Sequence, residues 1–312
     1  MLIANLLLYI ASFIFIWLGA GLVVSSVDRF SRKLGLSSFA VSFIILGLLT
    51  STPEFAVGLT AVAEHKPEIF VGNLIGGIPV IFLFIIPILA ILGNGIRINH
   101  DFTLKNLLFT LGVIITPSFF MLDKEMNSIE GIILIILYIG LIFIVERKHG
   151  FFDKNNSQAM NIKAYSYKDL VKILLGIGVM FVASQIIVDK TMYFSEIFSI
   201  PAFYISLIAL SLGTNLPELS LAIRGIVSGK KDIAFGDYMG SAAANTLLFG
   251  IFTLLSGGEV LSVNSFFKTF LFVAGGLFLF FIFSRSKNAL SRRAGFILFS
   301  LYLIFAFFQL SR

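Results

Sequence analysis

Two glutamates stand in the middle of apolar segments long enough to cross a membrane, and each follows a proline directly. The segments read Thr50-Ser51-Thr52-Pro53-Glu54 and Gly213-Thr214-Asn215-Leu216-Pro217-Glu218. An ionised carboxylate at the centre of a bilayer costs about 2.5–3.5 kcal/mol on insertion scales. A chain that does this twice gains something in return. A proline inside a helix removes one backbone donor and crowds the carbonyl four residues earlier, so the carbonyls of Leu49 and Gly213 lose their helical partners and those of Thr50 and Thr214 tilt. Broken helices are tolerated in a membrane where the freed groups line a cavity. Each segment then offers a carboxylate and loosened carbonyls, with hydroxyls from Thr50, Ser51 and Thr214 and the amide of Asn215. These are hard oxygen donors with no sulfur or imidazole among them. Calcium accepts six to eight such oxygens at about 2.3–2.6 Å, whereas magnesium demands stricter octahedral geometry and ranks below it. The plainer reading, two protonated glutamates hydrogen-bonded between helices, leaves the neighbouring residues unexplained.

Each motif is followed by a glycine pair, in GNLIGG (72–77) and GDYMGS (236–241). Glycines spaced in this way let helices approach closely, and packing is their main role. The polar residues between them are more specific. Asp237, Ser241 and Asn245 are four residues apart and share a helical face, a stripe about 12 Å long. The matching positions in the first half are Asn73, Gly77 and Ile81, which carry far fewer ligands. The sequence therefore predicts a lopsided site, richer in oxygen on the second half.

The elements that must hold these residues follow from composition. Of 312 residues 58% are hydrophobic and 13% charged, and 36 are phenylalanine. A soluble domain carries about 25% charge, so the chain is an all-α polytopic membrane protein. Apolar runs predict ten spans, near 3–24, 36–63, 67–93, 104–121, 129–145, 168–188, 200–227, 232–256, 264–284 and 293–310, each able to cross about 30 Å of hydrocarbon. The N-terminus lacks a basic start and a small-residue cleavage site and reads as the first span. The absence of cysteine excludes disulfides, thiolate chemistry and zinc–cysteine sites. His65, His100 and His149 fall in or beside links, which argues against a histidine metal centre in the membrane.

The net charge of +6 is a matter of topology. Odd-numbered links carry 18 Lys and Arg, and even-numbered links carry 4: Lys66, Lys124, Lys190 and Lys268. This positive-inside bias predicts odd links in the cytoplasm and both termini outside the cell membrane. It also accounts for Arg285, Lys287, Arg292 and Arg293. Glu54 to Glu218 and Gly72 to Gly236 share one offset of 164 residues. The chain thus divides into a first repeat (1–145, spans one to five), a cytoplasmic linker (146–167) and a second repeat (168–312, spans six to ten). Five spans per copy make the second copy inverted, an architecture recurrent in secondary transporters whose substrate site lies at the midplane. Helices two and seven, which carry the motifs, are expected to be broken.

At these residues the chain resembles the sodium/calcium exchanger family of the calcium:cation antiporter superfamily, whose pattern is close to G-T-S-L-P-E followed by G-N-x-x-G-S in each half. The resemblance implies a membrane antiporter that moves calcium against a cation by alternating access. It implies that Glu54 and Glu218 are central calcium ligands, assisted by the carbonyls of Thr50 and Thr214. Ser51 and Ser241 match sodium-site hydroxyls, and Asn245 matches a polar position at the middle of the site. Asn73 matches the polar residue of the glycine motif. The departures are Leu49 for glycine, Asn215 for serine, Gly77 for a sodium-liganding serine, Ile81 for a central asparagine, Asn245 for aspartate and Asp237 for asparagine. Part of the sodium apparatus, above all in the first repeat, is missing.

The expected function is calcium exchange for a monovalent cation, sodium by default and protons as the alternative. Two carboxylates about 5 Å apart repel by roughly 3 kcal/mol at an effective dielectric near 20, and competing cations relieve that repulsion in turn. A passive cation channel uses the same oxygens but gives no reason for the repeat and its prolines. An enzyme is not expected, since no membrane-embedded histidine or cysteine supports hydrolysis and no glycine-rich phosphate loop supports an ATP-driven pump. The expected partners are inorganic cations and the lipid bilayer, with no cofactor, nucleic acid or protein partner, and a monomeric state.

Overall fold

The computed structural model describes residues 2–31, 43–44, 47–97, 104–123, 125, 127–149, 167–227, 232–257, 266–285 and 289–311. The first part of the predicted span 36–63, most of the linker 146–167, and the link residues His100, Lys124 and Lys287 lie outside them. The described chain is helical apart from one short β-ladder. In order the helices are α1 (Leu2–Ser31), α2 (Gly47–Thr50), α3 (Thr52–Ala63), α4 (Pro67–Pro79), α5 (Ile86–Leu92), α6 (Leu104–Phe120), α7 (Ser128–His149), α8 (Tyr167–Phe198), α9 (Ala202–Ile205), α10 (Ser211–Thr214), α11 (Leu216–Val227), α12 (Asp232–Leu255), α13 (Phe266–Arg285) and α14 (Arg292–Leu310). Wider π-helical turns join α4 to α5 (Val80–Ile85) and α9 to α10 (Ser206–Leu210).

Among the described residues eight helices are long and apolar enough to cross a membrane, and they coincide with eight of the ten predicted spans. The other two, 36–63 and 200–227, are those that carry the proline–glutamate motifs, and there the described chain is divided into shorter helices. Several helices run past the apolar stretch that predicts them, α1 to Ser31 and α8 to Phe198. Helical hydrogen bonding has no reason to stop where hydrophobicity does. Local chemistry fixes other ends. Asn127 Oδ1 accepts from the amides of Ile129 and Glu130 while Glu130 Oε2 accepts from the Asn127 amide, a reciprocal capping box that starts α7. Ser291 caps α14 by accepting from the Ala294 amide.

Two spans are set apart by burial. Pro67–Leu92 is 83% buried and Tyr238–Leu255 is 78% buried, against about a third for α1, α8, α13 and α14. The outer helices turn Leu, Ile and Phe outward, as at Ile3, Leu7, Phe267 and Phe307, to face lipid. Phenylalanine serves both layers, since Phe70, Phe82, Phe249 and Phe252 are fully buried between helices. Around the two central spans, α1 packs along α8, α7 against α12, and α14 against α5. Strands β1 (Ile96–Arg97) and β2 (Ala289–Leu290) pair antiparallel, Ile96 opposite Leu290, and tie two distant links together. Lys66, between α3 and α4, approaches Asp189 of α8 to 3.9 Å.

Candidate cation site

Proline chemistry sets the helix starts that present both glutamates. The first four N–H groups of a helix have no intrahelical acceptor, so a residue without an N–H loses nothing there. Pro53 and Pro217 each stand second in a helix, α3 and α11. The joints before them have similar backbones: Ser51 at φ −79°, ψ 7° and Asn215 at φ −87°, ψ 17°. Glu54 and Glu218 thus fall in first turns, where the partial positive charge of a helix N-terminus favours a carboxylate. The Leu49 carbonyl, expected to be freed by Pro53, is taken instead by the Thr52 hydroxyl at 2.6 Å. The equivalent of Thr52 is Leu216, which offers no such hydroxyl.

Glycines bring the surrounding backbones together in the same way twice. A methyl group on Gly76 would meet the Leu207 carbonyl oxygen at 2.1 Å, and one on Gly240 would meet that of Phe43 at 1.8 Å. These two contacts are related by the offset of 164 residues at both partners. Only glycine allows so close an approach between main chains.

Both carboxylates are fully buried. Glu54 Oε1 accepts from Asn215 Nδ2 at 2.9 Å, and the same nitrogen donates to the Ser211 carbonyl at 2.9 Å. Glu218 Oε1 accepts from the Ser241 hydroxyl at 2.7 Å. Ser241 Oγ lies 3.2 Å from Ser51 Oγ, which donates to the Gly47 carbonyl at 2.9 Å. Each glutamate is therefore linked to residues of the other half of the sequence. Thr214 donates to Asn73 Oδ1 at 3.0 Å, which brings α4 into the network, and Thr50 donates to the Gly47 carbonyl at 3.3 Å. Asn245 reaches over Gly77, where an added methyl would lie 2.7 Å from its Nδ2. Asp237 is on the same helix as Ser241 and Asn245, but its side chain lies outside the described residues.

Four buried oxygens in this network, Glu54 Oε2, Glu218 Oε2, Asn215 Oδ1 and Asn245 Oδ1, accept no hydrogen bond among the described residues. Leaving a buried polar atom unpaired costs about 1–3 kcal/mol, and more when it is charged. A hard cation that takes several oxygens at once would satisfy them. Among the described residues there is no group of three or more acidic, histidine or cysteine side chains that could hold a metal ion.

Sequence reading missed several polar ties between helices. Trp17, which has no identifiable partner in the sequence, donates from Nε1 to Ser220 Oγ at 2.7 Å and so ties α1 to α11. Thr60 and Ser184 pair at 2.6 Å between α3 and α8, and Tyr9 and Thr191 at 3.0 Å between α1 and α8. Nothing local marks these partners, which are more than 120 residues apart in each case.

The fold defines a class, helical integral membrane proteins. The profile of the sodium/calcium exchanger protein family matches residues 4–145 and 168–311, and the chain belongs to that family. Inner membrane protein YrbG of Escherichia coli is 28% identical over 258 residues, covering 78% of this chain and 79% of that protein. Sodium/calcium exchanger MaX1 of Methanosarcina acetivorans is 22% identical, covering 98% of each. Vacuolar cation/proton exchanger 1a of Oryza sativa is 24% identical over 144 residues, 45% of this chain and 32% of its own. The fold is shared with the solved sodium–calcium exchanger NCX_Mj soaked with sodium and strontium, at a TM-score of 0.69 and 21% identity over 97% of this chain and 98% of that one.

Proposed function

We propose that this protein exchanges calcium for a monovalent cation across the cell membrane by alternating access, with sodium as the counter-ion. Glu54 and Glu218 grip the calcium, one from each half. The carbonyls of Thr50 and Thr214, the hydroxyls of Ser51 and Ser241, and the amides of Asn73, Asn215 and Asn245 complete the surroundings, and Asp237 extends the polar stripe of α12. The observation that carries this reading is the set of four unpartnered buried oxygens on two carboxylates and two amides. Two negative charges match one divalent ion, and calcium and its rivals cannot hold the same oxygens together. That exclusion couples their fluxes.

The proposed frame is ten spans in two inverted halves, 1–145 and 168–312, joined by a cytoplasmic linker at 146–167, with helices two and seven broken and both termini outside. The paired glycine contacts at one offset support the repeat. The β-ladder joins two odd-numbered links, which supports the sidedness.

A proton counter-ion is the second reading. It is favoured by the Asn215 amide nitrogen on Glu54, where a sodium site would need oxygen. Calcium uptake into proteoliposomes under an imposed sodium or proton gradient decides between them. The account predicts uptake driven by a sodium gradient. Uptake that answers only to a proton gradient would replace sodium with protons, and uptake that needs no gradient of either would overturn exchange itself.

A further inference from the structure

The two halves of the site differ in the kind of atom they place beside the carboxylate. At Glu218 the neighbours are hydroxyls: Ser241 donates to the carboxylate, and Ser51, 3.2 Å from Ser241, donates to the Gly47 carbonyl. At the positions related by 164 residues, Gly77 replaces Ser241 and Asn215 replaces Ser51. There one nitrogen, Asn215 Nδ2, spans the carboxylate of Glu54 and the carbonyl of Ser211 at 2.9 Å each. The missing side chain at Gly77 leaves room for a second amide nitrogen. A methyl there would lie 2.7 Å from Asn245 Nδ2 and 3.5 Å from Asn215 Nδ2.

The chemistry of these atoms is opposite. A hydroxyl keeps lone pairs with which to ligate a cation, whereas an amide NH2 group offers only donors. Its orientation follows from its partners, because turning Asn215 over would set Oδ1 against two other oxygens. An N–H group between a carboxylate and a carbonyl does what a small cation does in that place: it presents positive charge to both.

We propose that the Asn215 amide stands in for a monovalent cation on Glu54, so that this half of the site holds no such ion and the protein exchanges fewer monovalent cations per calcium than two oxygen-lined halves would. This rests on the exchanger reading above, and it makes Asn215 the residue that sets the coupling number.

Linkage supplies the test. Each sodium ion displaced per calcium adds one to the slope of log apparent Kd for calcium against log sodium concentration. The slope is measured on purified full-length protein for the wild type, Asn215→Ser and the near-isosteric Asn215→Asp, with the size-exclusion profile and thermal unfolding in detergent reporting that each variant is folded. The expected result is a slope about one unit steeper in both variants than in the wild type. Equal slopes would overturn the proposal, since Asn215 would then displace no monovalent cation. A wild type that binds no calcium would reject the exchanger reading instead, so the two failures are distinct.

Discussion

Glu54 accepts from the amide nitrogen of Asn215 and Glu218 from the hydroxyl of Ser241, yet the backbones that carry the two glutamates are arranged alike. Ser51 and Asn215 occupy nearly the same region of φ and ψ, each proline opens a helix, and Gly76 and Gly240 make the same approach to a facing carbonyl. The backbone frame around the two glutamates is thus alike while the side chains beside them differ. Backbone contact at a distance that excludes any Cβ tolerates no substitution, whereas a side chain that reaches into the site can be exchanged with little effect on packing. Differences in ion preference within one fold are written in the second kind of position.

The comparison breaks most visibly at the carboxylates, where the halves should be equal. Removing one partner of a buried charged contact costs about 2–5 kcal/mol, a fall in affinity of roughly 30-fold or more. Glu54→Gln and Glu218→Gln should each reduce gradient-driven calcium uptake to the level of empty liposomes while the protein still inserts in the membrane. Wild-type rates in either variant would remove that residue from the site. The glycines come next. Gly76→Ala and Gly240→Ala each force a methyl against a main-chain oxygen, and overpacking costs about 1–3 kcal/mol. Thermal unfolding in detergent should show comparable falls in Tm for the two, and tolerance of one alone would end the likeness of the frames. The smallest effect is expected at Ser51. Loss of one neutral hydroxyl partner is worth about 0.5–1.5 kcal/mol, so Ser51→Ala should modestly weaken the competition of sodium with calcium. An unchanged competition curve would make Ser51 a spectator and blur the contrast between hydroxyl and amide sides.

Much of the frame is legible in the sequence because it rests on residue type and spacing. Eight spans follow from hydropathy, and the proline–glutamate motifs mark the two segments that the structure divides into shorter helices. The lopsided distribution of polar residues between the halves is also readable, from Gly77 and Ile81 against Ser241 and Asn245. What is not legible is where side-chain atoms point. Proline chemistry predicts a freed carbonyl at Leu49, but a hydroxyl three residues on captures it. The Asn215 side chain could face lipid, backbone or ion, and the packing of helices distant in sequence aims its nitrogen at Glu54. The Trp17–Ser220 tie spans 203 residues and leaves no periodic trace.

The central claim is that one calcium ion lies between carboxylates from the two halves. It is tested most directly by locating the ion, through the anomalous scattering of calcium in crystals of the protein. The account predicts a peak within about 2.3–2.6 Å of oxygens from both Glu54 and Glu218. A peak that touches only one of them, or that lies away from both, would contradict it.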